Sequence, residues 1–144
     1  MIEYKVKVFK DHIEWYLDDL LHREDGPAVE WTDGSKKWYK NGLLHREEGP
    51  AIEDANGSKQ WHRNGKLHRE DGPAIEYSGG ENFWYRNGKL HREDGPAIEC
   101  ANGHKEWWIN GKHLSEEEFL QRTSSCEGKI VEIEGKKYRL SLEK

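Results

Sequence analysis

The sequence predicts an all-β protein: an elongated antiparallel sheet, or solenoid, of stacked 23-residue β-hairpin repeats, followed by one short helix and a C-terminal hairpin. Three observations lead to this fold class. The tract Leu-His-Arg-Glu-Asp-Gly-Pro-Ala-Ile-Glu recurs four times at a spacing of 23 residues, and both a Trp and an Asn-Gly pair recur at the same spacing. A constant spacing indicates identical structural units stacked in register.

The four tracts each combine a turn with a short strand. They cover residues 21–30, 44–53, 67–76 and 90–99, and we refer to them as tracts 1 to 4. Only Val29 and Glu48 depart from the common pattern. Gly permits a bend and Pro is excluded from the centre of a sheet, so we expect a turn at Gly-Pro and a strand immediately after it.

Asn-Gly pairs predict the hairpin turns. A type I′ turn needs a positive φ at both central residues, and Asn-Gly between strand-like runs is a strong hairpin signal. The pairs are Asn41-Gly42, Asn64-Gly65, Asn87-Gly88 and Asn110-Gly111, with Asp18-Asp19 in the first unit. A second periodic turn is predicted at Asp33-Gly34, Asn56-Gly57, Gly79-Gly80 and Asn102-Gly103. Between the turns, runs such as residues 59–63 are predicted to be strands.

The two ends of the chain depart from the repeat, as the ends of a solenoid do. Residues 5–8 fall in register with residues 28–31, so the chain begins with a degenerate unit. We divide the chain into a repeat array of about five units at 1–112 and a C-terminal cap at 113–144. In the cap, Ser115 and Glu118 form a capping box that opens a helix, a loop follows at 122–128, and residues 129–142 form a hairpin. The helix is expected to cover the last open strand edge.

The Trp residues are expected to form a buried spine. Only 33% of the residues are hydrophobic, whereas the chain has seven Trp and six Tyr, so a thin aromatic core is predicted. The spine would comprise Trp15, Trp38, Trp61, Trp84 and Trp107, with Ile52, Ile75 and Ile98 beside them. The alternative is that these rings form a stacking platform for bases or sugars.

The tract histidines are predicted to be structural. They are His22, His45, His68 and His91. With two strands per unit at about 4.8 Å, equivalent residues lie about 10 Å apart, too far to share a metal ion. We therefore predict no catalytic residue, no metal and no cofactor. Arg and Glu are expected to pair between adjacent units, and His is expected to bond the backbone near the Gly-Pro turn.

A second aromatic column and a basic column are the predicted partner-binding residues. Side chains alternate across a strand, so the residue after each Trp would face away from it. The predicted set is Tyr39, His62, Tyr85, Trp108, Phe83, Arg63 and Arg86. The aromatic column is either a partly exposed stripe or is buried by sheet twist, and the sequence supports both. The basic column, which includes Lys40, would meet an acidic partner or phosphate, or be a solvated edge.

Charge and hydropathy exclude several classes of partner. The net charge is -5 with acids and bases interleaved, which gives no basic stripe for nucleic acid. The N-terminus has no apolar signal region, and no segment approaches the roughly 18 apolar residues of a membrane span. The two cysteines, Cys100 and Cys126, suit a reducing compartment and are expected to be inert. The predicted location is the cytoplasm of a bacterial cell.

The repeat resembles the MORN-type repeat family, in the variant that carries the sequence of residues 87–97, Asn-Gly-Lys-Leu-His-Arg-Glu-Asp-Gly-Pro-Ala. The resemblance covers roughly residues 10–120, whereas Asp18-Asp19 and the C-terminal hairpin lie outside it. It implies β-hairpin units stacked side by side in one twisted sheet. Short proteins of this variant are similar to proteins of bacteriophages and bacteria, and some similar chains are described as antitoxin-like.

Together these observations predict a non-catalytic repeat scaffold that binds another protein. The family resemblance implies a phage-encoded inhibitor of a host enzyme or defence system. One alternative is sequestration of a small anionic ligand, such as a signalling nucleotide, between aromatic and Arg side chains. A structural or antitoxin-like role, and self-association into a homo-oligomer through the C-terminal hairpin, stay open at this point.

Overall fold

A computed structural model describes residues 2–123 and 130–139. Within these ranges the chain is mostly β-strand, with one short helix. Its main feature is a 12-stranded antiparallel sheet built from hairpins, which does not close into a barrel. The fold class predicted from the sequence is therefore confirmed.

The strands are short, and most contain two residues. In chain order they are β1 (Lys5–Val8), β2 (His12–Leu17), β3 (Leu20–Leu21), β4 (Val29–Trp31), β5 (Lys36–Lys37), β6 (Tyr39–Lys40), β7 (Leu43–Leu44), β8 (Ile52–Glu53), β9 (Lys59–Gln60), β10 (His62–Arg63), β11 (Lys66–Leu67), β12 (Ile75–Glu76), β13 (Asn82–Phe83), β14 (Tyr85–Arg86), β15 (Lys89–Leu90), β16 (Ile98–Glu99), β17 (Lys105–Ile109), β18 (Lys112–Leu114), β19 (Ile130–Ile133) and β20 (Lys136–Arg139). The helix α1 (Glu116–Thr123) lies between β18 and β19.

The long sheet gains two strands from each repeat. Its order is β1-β2-β4-β5-β8-β9-β12-β13-β16-β17-β18, and β3 pairs with β2 beside this path. The second half of each hairpin forms a separate two-stranded ladder, as in β6-β7, β10-β11 and β14-β15. The register is antiparallel throughout, for example Ile75 opposite both Gln60 and Phe83. Each unit therefore contributes two strands to the long sheet and one small separate hairpin.

In the three central units the strand is interrupted at Trp38, Trp61 or Trp84, which corrects the single strand predicted at 59–63. The strands β2 and β17 instead continue through their Trp. The N–H of Trp61 donates to the carbonyl of Ala74 at 2.8 Å, and its carbonyl accepts from the N–H of His68 at 3.0 Å. The two ends of tract 3 are thus fixed to one residue, and the residues between them project as a loop. Trp15, Trp38 and Trp84 make the same pair of bonds in their units. These two backbone hydrogen bonds position the tract loop of each unit.

The predicted hairpin turns have the backbone geometry of type I′ turns. The Asn residues have φ values of 50–51°, and the Gly residues that follow have φ values of 77–81°. In the first unit Asp18 and Asp19 adopt φ values of 50° and 61° without a glycine. A positive φ is costly for a residue with a side chain, so this turn is the most strained of the series.

The most buried residues are small and aliphatic, which corrects the predicted Trp spine. Ala28, Ala51, Ala74 and Ala97 have no exposed surface, and Val29, Ile52 and Ile75 are buried beside them. The Trp residues of the spine are only half-buried, as is Ile98. The physical reason is that each of these Ala carbonyls accepts a hydrogen bond from the Trp N–H of its unit, while the Trp ring itself is covered by the tract Arg, which is a surface contact and not a packed core.

The C-terminal end of the array is covered by α1. This helix packs against β17 and β18, with Leu114 and Phe119 buried. The predicted capping box is present: the Glu118 N–H donates to Ser115 Oγ at 3.1 Å, and the Ser115 N–H donates to Glu118 Oε2 at 2.9 Å. Because β18 ends at Leu114, the array extends slightly beyond the boundary placed at residue 112.

The final hairpin is present, since β19 and β20 pair with each other around a turn with positive φ at Glu134 and Gly135. The loop predicted at 122–128 begins later than expected, because α1 continues to Thr123. Three parts of the predicted cap lie outside the described residues: most of that loop, Cys126 within it, and the last residues of the predicted hairpin, 140–142.

Candidate binding site

The site begins with an Arg that is held between a Trp ring and a glycine. In tract 3 the Arg69 guanidinium lies 3.8 Å from the centre of the Trp61 ring. On its other side is Gly72, where an added Cβ would come within 3.0 Å of the Arg69 Cζ. The same arrangement recurs as Arg23 on Trp15, Arg46 on Trp38 and Arg92 on Trp84, at 3.8–4.1 Å. Glycine is therefore required here to leave room for the guanidinium.

Hydrogen bonds within each tract fix the Arg further. The Nη1 of Arg69 donates to the Pro73 carbonyl at 3.0 Å and to Glu76 Oε1 at 2.8 Å, and its Nε donates to Asp71 Oδ1 at 2.8 Å. The prediction that Arg and Glu pair between adjacent units is thus wrong. The Gly-Pro bend brings residues two and seven positions after the Arg back to it, so the pairing stays inside one tract.

The tract His connects one unit to the next. The His45 Nδ1 accepts a hydrogen bond from the N–H of Asn64 at 3.0 Å, and His22, His68 and His91 accept the equivalent bond from Asn41, Asn87 and Asn110. The expected bond to backbone is present, but it reaches the Asn-Gly turn of the following unit rather than the Gly-Pro turn. A neutral ring that accepts at Nδ1 carries its proton on Nε2.

The remaining nitrogen of each tract His faces the Glu two residues later. The distance from Nε2 to Oε1 is 2.7 Å for His45 and Glu47 and 3.2 Å for His91 and Glu93. It is longer in the other tracts, 3.7 Å for His22–Glu24 and 3.5 Å for His68–Glu70. With Nδ1 already accepting and Nε2 protonated, a neutral tract His has no lone pair free to remove a proton from a substrate.

Hydrogen bonds stabilise the charged form of three tract carboxylates. Those from Arg69 and Arg92 lower the pKa of Asp71 and Asp94, respectively. The pKa of Glu47 is lowered chiefly by its hydrogen bond with His45. Tracts 2, 3 and 4 therefore each have one carboxylate whose negative charge is stabilised by a neighbouring side chain.

A cleft lies at each of the three junctions between successive tracts in the part of the chain that the structure describes. Cleft 1 is about 840 Å³, between tracts 1 and 2, and contains Trp38 on its lining. Cleft 2 is about 440 Å³, between tracts 2 and 3, with Trp61. Cleft 3 is about 550 Å³, between tracts 3 and 4, with Trp84. The repeat thus generates a row of clefts with related linings.

Four of the seven predicted partner-binding residues line these clefts. Tyr39 lies in cleft 1, His62 and Arg63 in cleft 2, and Arg86 in cleft 3. The other three, Tyr85, Trp108 and Phe83, are not among the lining residues of clefts 1 to 3. Phe83 instead makes an edge contact with Tyr77, and Trp108 donates to Glu106 Oε2 at 2.9 Å.

The second aromatic column does not form an exposed stripe. Tyr39, Tyr85 and Trp108 are half-buried, and His62 is only 8% exposed. Tyr39 and His62 follow an interrupted strand and line clefts beside the tract loops instead of lying on a free face, whereas Trp108 lies in the continuous strand β17. The two columns therefore have similar exposure.

The exposed acidic residues of the tracts were not predicted as site residues. They are Glu24, Asp25, Glu47, Glu48, Glu70, Asp71, Glu93 and Asp94, and all are exposed. Each cleft has four of them on its lining, against one cation of the basic column, Lys40, Arg63 or Arg86. The tract Arg residues offset only part of this charge. Arg23, Arg69 and Arg92 pair with Asp25, Asp71 and Asp94 on the rims, but each tract Arg also lies against a Glu outside the cleft linings, Glu30, Glu53, Glu76 or Glu99. The signal was present in the tract sequence itself, as adjacent acidic residues in every copy.

His62 is the buried polar group of cleft 2. Its Nδ1 has no hydrogen-bond partner and no appreciable contact with solvent. Burial lowers the pKa of the ring, and a hydrogen bond to the Gln60 backbone opposes this effect in part. The ring is therefore neutral at physiological pH, in a position that Tyr39 and Tyr85 occupy in the neighbouring units.

The described residues contain neither a metal-binding cluster nor a membrane-spanning helix. Within residues 2–123 and 130–139, no three His, Cys, Asp or Glu side chains are grouped so that they could hold a metal ion. None of the helices in this part of the chain is long and apolar enough to span a membrane. Comparison of the chain with protein-family models, curated proteins and solved structures found no match.

Proposed function

We propose that this chain is a non-catalytic repeat scaffold that binds another protein along clefts 1 to 3. The observation that carries the proposal is the repetition of one cleft at three successive tract junctions. Equivalent clefts in a row can engage equivalent groups of one elongated partner at the same time. Binding at the second and third cleft is then intramolecular, which raises the overall affinity without any new kind of contact.

The charge of the clefts indicates a basic partner. Every cleft has four carboxylates on its lining against three Arg or Lys side chains, and the carboxylates are exposed at its rim. Complementary charge accelerates encounter and fixes the register of a complex. Lys and Arg side chains of the partner are therefore the groups that these clefts suit best.

Sequestration of an anionic ligand is supported less well by the same geometry. Each tract Arg already donates to its own tract and lies against a Trp ring. An anion would have to displace these contacts and would meet the rim carboxylates. The Trp rings are also a poor stacking platform, because the guanidinium occupies one face.

The family resemblance suggests that the bound protein is a bacterial enzyme or part of a defence system, and that binding inhibits it. A rigid scaffold with a repeated charged surface is suited to covering a basic surface on its target. Under this proposal the chain acts by occupying that surface and performs no chemistry of its own.

The proposal is tested by affinity capture from bacterial lysate with three forms of the protein. They are the wild type, a cleft variant with Glu24→Gln, Glu48→Gln and Glu70→Gln, and a control variant with Glu3→Gln, Glu116→Gln and Glu117→Gln. Both variants lose three exposed negative charges, but only the first loses them from the clefts. We expect a protein that is captured by the wild type and the control and is lost from the cleft variant. Capture that the cleft variant retains in full contradicts the proposal.

A further inference from the structure

We infer that the partner presents an extended segment with Lys or Arg at every third position, and that each cleft receives one of these side chains. This inference rests on the proposed function and specifies the partner's conformation. It depends on three features: the spacing of the clefts, the charge of their rims and, in cleft 2 alone, the unpartnered nitrogen of His62.

The spacing of the clefts matches a polyproline II segment. The long sheet gains two strands per unit, and neighbouring strands lie about 4.8 Å apart, so successive clefts are separated by about 10 Å. A polyproline II helix has three residues per turn and rises about 3.1 Å per residue. Side chains at every third position therefore lie on one face at intervals of about 9.3 Å, which is close to the spacing of the clefts.

Other regular conformations fit this spacing less well. In an extended β-strand, side chains on one face recur at about 6.6 Å, so only every third of them would coincide with a cleft, at about 20 Å. An α-helix reaches about 10.5 Å only at every seventh residue, and it then presents the third and fourth residues to the loop between clefts. Pro-rich segments also dock readily into aromatic-lined grooves, since their conformation is already ordered before binding. The polyproline II segment is therefore the one occupant that fits cleft after cleft.

The chemistry of cleft 2 suits a cationic side chain. Its rim carries Glu47, Glu48, Glu70 and Asp71, which accept hydrogen bonds from ammonium or guanidinium groups. At its wall, His62 is 8% exposed and its Nδ1 lacks a partner. A neutral imidazole nitrogen can accept a hydrogen bond, so a shift of the buried ring toward the cleft would let it receive one from a Lys or Arg head group. The half-buried Trp61 lies beside these groups, where the aliphatic stem of such a side chain can pack.

Two labelled peptides of identical composition test the spacing. The first consists of four Arg-Pro-Pro units, and the second has the same twelve residues with Arg at alternate positions. Both are Pro-rich and carry the same charge, so they differ in the spacing of Arg alone. Fluorescence anisotropy at about 0.15 M salt measures their affinities for the full chain. We expect the first peptide to bind at least about tenfold more tightly, because it can occupy several clefts at once.

The cleft and control variants locate the binding. The cleft variant should lose most of its affinity for the first peptide, whereas the control variant should keep it. Equal affinity for the two peptides overturns the inference, as does the failure of both to bind or an equal loss in both variants.

The lysate experiment separates this inference from the proposed function. If the peptides bind equally but capture from lysate still depends on the cleft carboxylates, the three-residue spacing is wrong and the scaffold function stands. If the cleft variant captures the same protein as the wild type, the proposed function fails as well.

Discussion

At the scale of single residues, the Arg of each tract explains why the tract is repeated almost without change. It needs a Trp on one side, a glycine on the other, a carbonyl after the Gly-Pro bend and a Glu seven residues later. A cation–π contact contributes about 0.5–2 kcal/mol depending on desolvation, and charge-assisted hydrogen bonds add to it. These requirements act together, so a change at one position affects the others. The tract is consequently a single structural unit.

Substitution of Gly72 by Ala should show this dependence. The new Cβ would lie 3.0 Å from the Arg69 Cζ, so we expect the guanidinium to move off Trp61 and the free energy of unfolding to fall by about 1–3 kcal/mol. In an Arg69→Ala background the same change should be neutral or stabilising by about 0.4–1 kcal/mol, because Ala restricts the unfolded chain. Chemical denaturation of the four proteins measures both effects. An equal cost in the two backgrounds would show that the guanidinium does not require the glycine.

His62 should make stability depend on pH. Burial lowers the pKa of its ring below the ordinary value of 6.5, so the unfolded chain takes up a proton at a higher pH than the folded chain. The contribution of the neutral ring is complete above about pH 6.5 and is lost as the pH falls below it. The His62→Tyr variant matches the neighbouring units and removes this titration. We therefore expect urea unfolding between pH 7 and pH 5 to show a steeper loss of stability for the wild type, and parallel pH profiles would contradict the assignment.

At the scale of secondary-structure elements, the hairpin turns differ in quality. Four repeat turns have Asn followed by Gly, whereas the turn between β2 and β3 has Asp18 and Asp19 with φ values of 50° and 61°. The first hairpin is therefore the one whose turn residues fit their backbone least well. It also lies near the exposed strand β1, which pairs with β2 alone.

Replacement of Asp19 by Gly should stabilise the first hairpin. Glycine takes a positive φ without steric cost, so we expect the free energy of unfolding to rise by about 1 kcal/mol. The reciprocal change, Gly88→Asp, should lower the free energy of unfolding by a similar amount. A new Cβ there would not clash, because its nearest neighbour is the Lys66 Cβ at an ordinary 3.7 Å, so the positive φ alone would be costly. Thermal unfolding of the two variants measures both shifts. A destabilised Asp19→Gly protein would show that the Asp pair makes contacts that outweigh its strain.

The sequence predicted the elements of this fold better than it predicted the site. Turns such as Asn64-Gly65 and the capping box at Ser115 depend on neighbouring residues, so local patterns identify them. At Trp61 the strand is interrupted, and the backbone there bonds Ala74 and His68, two residues of tract 3 that are distant from Trp61 in the sequence. The prediction assumed that side chains alternate between two faces of an unbroken strand, and it therefore gave the wrong exposure for the residues after Trp. The clefts lie between successive tracts, so four predicted site residues line them, but alternation along a strand gave no indication of the acidic residues in the tract loops.

At the scale of the whole molecule, the array is a row of units that contact only their neighbours. Each junction is joined by a backbone bond to the tract His, by strand pairing in the long sheet and by further backbone bonds such as that from Gly65 to Leu44. Stability in such arrays is approximately a sum of unit and junction terms. Units can therefore be removed in whole periods, and each removal takes one cleft with it.

The central claim, that successive clefts act together on one partner, is tested most directly by deletion of residues 54–76. This deletion removes one period and joins Glu53 to Tyr77, a residue equivalent to the original Asp54. Circular dichroism and Trp fluorescence should show that the shortened protein is folded, with two clefts in place of three. We predict that its affinity for the four-unit Arg-Pro-Pro peptide, measured by anisotropy, is at least about tenfold weaker than that of the intact chain. A folded, shortened protein that binds this peptide as tightly as the intact chain would contradict the claim.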